Sequence, residues 1–130
     1  MADPVHIQGF LSGFVSTNVQ AGSTLAAMIA VSEGQIRSVA AGVSASGGSG
    51  TTIIDVQINN VSIWTDPANR PTMTGGAAGR FTGGRLPNRR AVRVGDFVKI
   101  IVAAAGNHSG VVATVALEEP QRQPPSAPSF

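Results

Sequence analysis

The clearest alternation of apolar and polar positions runs from Thr51 to Thr65, TTIIDVQINNVSIWT. Ile54, Val56 and Ile58 alternate with Asp55 and Gln57, the period of a strand with one buried face. Asn59-Asn60 interrupts the pattern, and asparagine tolerates the left-handed backbone of a two-residue hairpin turn. Alternation resumes at Val61 and Ile63. The pattern predicts a hairpin in which Ile58 faces Val61, Val56 faces Ile63 and Asp55 faces Trp64. The apolar pairs share one face, so a one-residue slip would turn all of them outward.

The remaining chain reads as further strands packed against this ribbon. Between Val5 and Val19, Phe10 and Phe14 share one strand face and Leu11 and Val15 the other, which predicts cover on both sides. Thr24 to Val31 admits two periods. Leu25, Met28 and Ile29 have helical spacing, whereas Leu25, Ala27, Ile29 and Val31 form a strand face. The segment is short for a helix, so a strand is expected, followed by a hairpin turn at Ser32–Gln35. Ile36 to Ser44 is a strand with Arg37, Val39, Ala41 and Val43 on one face, and its small residues allow close approach of a neighbour. ASGGSG, 45–50, reads as a flexible loop. Asp66 to Pro71 is a turn-rich connector, and 72–93 an irregular excursion rich in Gly and Arg. Val94-Gly95-Asp96 turns into Phe97–Ala104, with Val98, Ile100 and Val102 on one face. A turn at 106–110 and a strand at 111–117 complete an expected second hairpin. Periodicity stops at Glu118. Residues 1–119 form one all-β domain, and 120–130 an extended or disordered Pro-rich tail.

Composition narrows the classes. Charged residues make up 12% of the chain, well below the usual share, and a weakly charged surface suits a place inside an assembly. There is no cysteine, which removes disulfide and thiol chemistry. No basic-then-apolar leader and no membrane-length apolar run are visible, so a soluble product made in the cytoplasm is expected, with no membrane partner.

Candidate chemistry is sparse. The glycine clusters lack the Lys-Ser/Thr closure of a phosphate loop. His6 and His108 stand apart from any carboxylate cluster of metal-ligand spacing, and His108, in a Gly-Asn-His-Ser-Gly turn, is expected to be exposed. Asp55, on the polar face of the hairpin, Asp66 and Asp96 read as turn and surface residues rather than an acid–base pair. Trp64 reads as core or subunit interface, with an exposed sugar-stacking platform as the alternative. No catalytic, metal or cofactor site is expected, and hence no enzyme. The strongest electrostatic feature is an acid-free run containing Arg70, Arg80, Arg85, Arg89, Arg90 and Arg93. With Phe81 as the sole aromatic in it, base stacking is unsupported. Docking on an acidic protein surface, where guanidinium groups bind carboxylates bidentately, is preferred over nucleic acid and weighed against a solvated loop.

The run GTTIIDVQINNVSIWTDPANRPTM, Gly50 to Met73, resembles a recurrent segment of tailed-bacteriophage virion proteins: G-TT, apolar, DV, a turn, a second strand, then ANRP-T. GQIRSVAAGVSASGGSG before it and VRVGDFVKIIV after it fit the same pattern, so the resemblance covers roughly residues 24–117. It implies an antiparallel jelly-roll-like or immunoglobulin-like β-sandwich of the capsid decoration (cement) or head-fibre type. By that resemblance the chain would trimerise and stabilise the phage head on the outer capsid surface by binding the major capsid protein. Arg80, Arg85, Arg89, Arg90 and Arg93, with the two termini, are the expected docking or subunit-interface residues. A head- or tail-fibre module binding a host glycan is the alternative, and a glycan-cleaving virion domain ranks last.

Overall fold

The computed structural model of the chain describes residues 8–76, 78–82, 87–89 and 91–118. Expectations that fall on residues 1–7, on Arg85 and Arg90, and on the Pro-rich tail lie outside them. Among the described residues ten strands follow in order: β1 (Gln8–Asn18), β2 (Thr24–Ile29), β3 (Gly34–Val43), β4 (Thr51–Ile58), β5 (Val61–Ser62), β6 (Thr72–Thr74), β7 (Gly79–Thr82), β8 (Ala91–Val92), β9 (Phe97–Ala104) and β10 (Ser109–Glu118).

Their pairing is nested and antiparallel. β1 pairs with β10, β2 with β9, β3 with β7 and β8, and β4 with β5 and β6. This long hairpin is then rolled up, so that β10 also pairs with β3, and β9 with β4. Two five-stranded sheets result, in the orders β1-β10-β3-β7 and β2-β9-β4-β5, with β8 beside β3 and β6 beside β4. The fold is an all-β sandwich with jelly-roll strand order.

β1 to β4 therefore alternate between the two sheets, and β9 and β10 lie in opposite sheets. The segment at Ser32–Gln35 and the one at 106–110 are bridges between sheets, not the hairpin turns expected from the sequence. The physical reason is plain. Val98, Ile100 and Val102 on β9, and Val111, Ala113 and Val115 on β10, are fully buried apolar faces. Alternation shows that each strand has such a face. It does not show whether two faces lie side by side in one sheet or meet across a sandwich.

The core lies between the sheets. Ile54, Val56 and Ile58 of β4 join the β9 face, opposite Ala41 and Val43 of β3 and the β10 face. Trp64, 3% exposed, and Met73 belong to the same cluster, so the core reading of Trp64 holds. The β4–β5 hairpin has the expected register. Ile58 pairs with Val61, Gln57 with Ser62, and Ile63 N–H donates to Val56 O at 3.0 Å. Asn59 and Asn60 both have positive φ, 52° and 67°, the pattern of a type I′ turn.

Local departures have local causes. Asp55 is not on a solvated face but 3% exposed; Ser62 Oγ donates to it at 2.6 Å, and Arg70 Nη1 lies 4.0 Å away. β1 is covered on one side only: Leu11 and Val15 pack on the core, while Phe10 and Phe14 are exposed. On β2 a register shift between Thr24 and Ala26 sets Ala26 and Met28 opposite the buried Ile100 and Val98, leaving Ile29 and Val31 exposed. On β3 a shift opposite Ala116 and Leu117 buries Ile36 and turns Arg37 outward, where it pairs with Glu118 at 2.6 Å. Bulges of this kind reverse which residues face inward, and the sequence carries no separate mark for them. The excursion at 72–93 is more ordered than expected, since it supplies β6, β7 and β8.

Candidate docking surface

One end of the sandwich is built from the Asn59-Asn60 turn, the Arg93–Asp96 turn and the segment before β8. Gly95, with φ 90°, lets the second turn close, and Gly95 N–H donates to Ala30 O while Ala30 N–H donates to Asp96 O, both at 2.8 Å. Asn59 ties the two turns together. Its Nδ2 donates to Asp96 Oδ1 at 3.0 Å, and its Oδ1 accepts from Phe97 N–H at 2.9 Å. The other Asp96 oxygen accepts from Arg93 N–H at 2.9 Å. The segment before β8 is held by Arg89 N–H donating to Ile63 O at 3.0 Å. Asn88 Oδ1 accepts from both Thr65 N–H and its hydroxyl.

These bonds leave a depression of about 440 Å³ lined by Asn59, Arg89, Ala91, Arg93 and Asp96. Both arginines are exposed, and among the described residues neither guanidinium lies within ion-pair distance of a carboxylate. The Arg93 backbone N–H, then the Asn59 amide, hold the Asp96 carboxyl below its ordinary value of 3.8, with smaller help from the Arg89 and Arg93 charges. Asp96 is thus a fixed anion that the turn already uses. Exposed apolar groups adjoin the depression: Val94 in the turn, Val31 beside Ala30, and the cross-strand pair Ile29 and Phe97. Arginine beside exposed aromatic and aliphatic groups is the make-up of protein–protein contact surfaces.

Of the expected docking residues, the fold brings Arg89 and Arg93 together here. Arg80 is on β7, paired with Gly42 at the end of β3 away from β8. Arg70 is apart, its Nε donating to Pro67 O at 3.0 Å beside Asp55. Sequence reading missed Asn59 as the clamp between turns. The only signal was its hairpin role, which says nothing of a partner 37 residues away.

The opposite end is closed. His108, expected to be exposed, is 2% exposed. Its Nε2–H donates to Gly75 O at 2.8 Å, its Nδ1 shares a hydrogen bond with the Thr52 hydroxyl at 2.7 Å, and Gly106 N–H donates to that hydroxyl at 3.0 Å. Glycines admit the ring. A Cβ on Gly48 would stand 2.5 Å from Asn107 O and 2.7 Å from the His108 ring, and one on Gly106 would stand 2.7 Å from Thr51 N. ASGGSG is therefore not a free loop but part of this packing. Among the described residues no three His, Cys, Asp or Glu side chains gather as a metal site. Asp66 caps the 3-10 turn Pro67–Asn69 through Ala68 N–H at 2.9 Å. Trp64, being buried, offers no platform for a sugar ring. No protein-family model matches the chain, and no curated protein matches it either.

Proposed function

We propose that this chain is a non-enzymatic structural protein of a tailed-phage virion, a capsid decoration protein that stabilises the head by binding the major capsid protein. One observation supports docking: Arg89 and Arg93, with no carboxylate at ion-pair distance among the described residues, stand beside exposed Val31, Val94 and Phe97 at one end of a rigidly tied sandwich. Planar guanidinium groups there suit carboxylates on a partner protein, and the apolar neighbours give area that salt does not screen. Many copies on one shell add modest contacts into a large total. The finer identification, phage head rather than another assembly, rests on the resemblance of Gly50–Met73.

The test is add-back to phage heads that lack the protein. Purified chain should bind at a fixed number of sites per head and raise the temperature at which heads rupture. Arg89→Glu with Arg93→Glu should cut occupancy sharply at low salt without lowering the melting temperature of the free chain. Wild-type occupancy by that double variant would remove the corner from the reading. Failure of the wild-type chain to bind heads would remove the reading itself.

A further inference from the structure

The residues of the first sheet that face away from the core fall in rows. Phe14, Val112 and Gly42 form one row, and Ser12, Thr114 and Ala40 the next. Phe10, Ala116 and Ser38 form the third. Across these rows β10 is the midline, with β1 and β3 on either side at about 4.8 Å each. On these three strands the rows hold no charged residue, and β7 continues the first two with Arg80 beside Gly42 and Thr82 beside Ala40. Phe10 and Phe14 are 67% and 59% exposed, while the β3 positions in the same rows are serine and glycine. A hollow of about 300 Å³ lies over Ala40, Gly42, Gly79 and Val112. In the middle row the Ser12 and Thr114 hydroxyls bond to each other at 3.0 Å, so covering them leaves neither without a partner.

We infer that this face is the contact surface of a two-fold dimer, its occupant a second copy of this chain. A two-fold axis parallel to the strands and passing over β10 exchanges β1 with β3. It sets each Phe14 over the other copy's Gly42 hollow and each Phe10 over the other copy's Ser38. Val112, on the axis, meets its own counterpart. An axis running across the strands would instead stack β1 on β1, phenylalanine against phenylalanine, and leave hollow facing hollow. Aligned face-to-face packing at about 10 Å is ordinary for sheets, and leaves room for a ring opposite glycine. A face that packs on itself is two-fold by symmetry, so this surface makes a pair rather than the trimer that the resemblance implies.

The area fits a weak but specific pair. β1, β10 and β3 are 11, 10 and 10 residues long. The three run side by side over Val111–Glu118 of β10, so at ordinary strand spacing and rise their overlap covers about 380 Å² of flat area per copy, about 760 Å² in the pair. That is below the about 1,000 Å² of a stable specific interface, so the pair is a transient one and its association depends on concentration. None of this depends on the virion role.

Sedimentation velocity of the full chain tests it, from about 10 µM to about 1 mM, where weak pairs form. The mass should rise from the 13.2 kDa of one chain towards that of two. Phe14→Ser, and Val112→Lys, which opposes two like charges on the axis, should each weaken the pair at least about tenfold. Their melting temperatures as monomers should match the parent, since both positions lie on the outer face. The chain has no cysteine, so a single one reports geometry cleanly. Val112→Cys should be joined into dimers by a short bismaleimide, and Ala27→Cys, on the other sheet, should not. A trimer, or a dimer that survives both substitutions, overturns the inference. So does a monomer at the highest concentration, which would leave the face to another partner or to residues 119–130 of the same chain.

Discussion

The two ends of the sandwich are made from similar material, short turns rich in Gly and Asn, and come out opposite in character. At the His108 end, glycines at 48 and 106 let backbones approach so closely that an imidazole is sealed in with all its hydrogen bonds made. At the Asn59 end, two turns are tied by one asparagine side chain, and the residues beside them project Arg89, Arg93 and Val94 into solvent. The first end spends its polar groups on the protein itself. The second leaves its guanidinium groups in solvent. A glycine-rich loop is therefore no guide to exposure until its neighbours are known.

Substitutions at the two ends should separate structural from recognition roles. The largest effect is expected from His108→Ala, which leaves the Thr52 hydroxyl and the Gly75 carbonyl short of partners and opens a cavity. A loss of about 3 kcal/mol or more should appear in denaturant unfolding. Gly48→Ala comes next. Its new methyl meets Asn107 O and the His108 ring, and a cost of about 1–3 kcal/mol is expected from the same measurement. If both variants unfold like the parent, the closed end is not what holds the loops.

At the other end the effects shrink. Asn59→Ala loses two hydrogen bonds and puts alanine at φ 52°, so about 1–2 kcal/mol should be lost. Asn60→Gly, at φ 67°, should be neutral or slightly stabilising, because glycine suits the second turn position at no steric cost. Arg89→Glu and Arg93→Glu should change stability by less than about 0.5 kcal/mol while changing head binding. The smallest effect belongs to Asp96. Its carboxyl is held below 3.8, so its contribution is complete above that pH and disappears as the pH falls through the lower folded value. Melting curves of Asp96→Asn should lie slightly below the parent at neutral pH and converge with it in acid.

Much of the local structure was legible. Period-2 runs located β3, β4, β9 and β10, and Asn-Asn marked a turn whose residues both have positive φ. The faces of β2 and β3 were misread because bulges at Thr24–Ala26 and opposite Ala116–Leu117 shift parity, and alternation alone assumes none. The proposed docking surface was half legible. The arginine run pointed to the segment, but the sequence could not say that Arg89 and Arg93 would share a corner while Arg80 went to the other end of β3. Phe10 and Phe14 carried a signal, two apolar faces on one strand, that was read as double cover when one of those faces is bare.

What the sequence determined by itself is what neighbouring residues decide: where strands run, where the chain turns, and which residues have one apolar side. Tertiary structure alone decided which strands share a sheet, that His108 is enclosed, and which apolar faces are left uncovered. The reason is that a strand's alternation is the same whether its partner lies beside it or across the core. Burial depends on what other segments bring to that place.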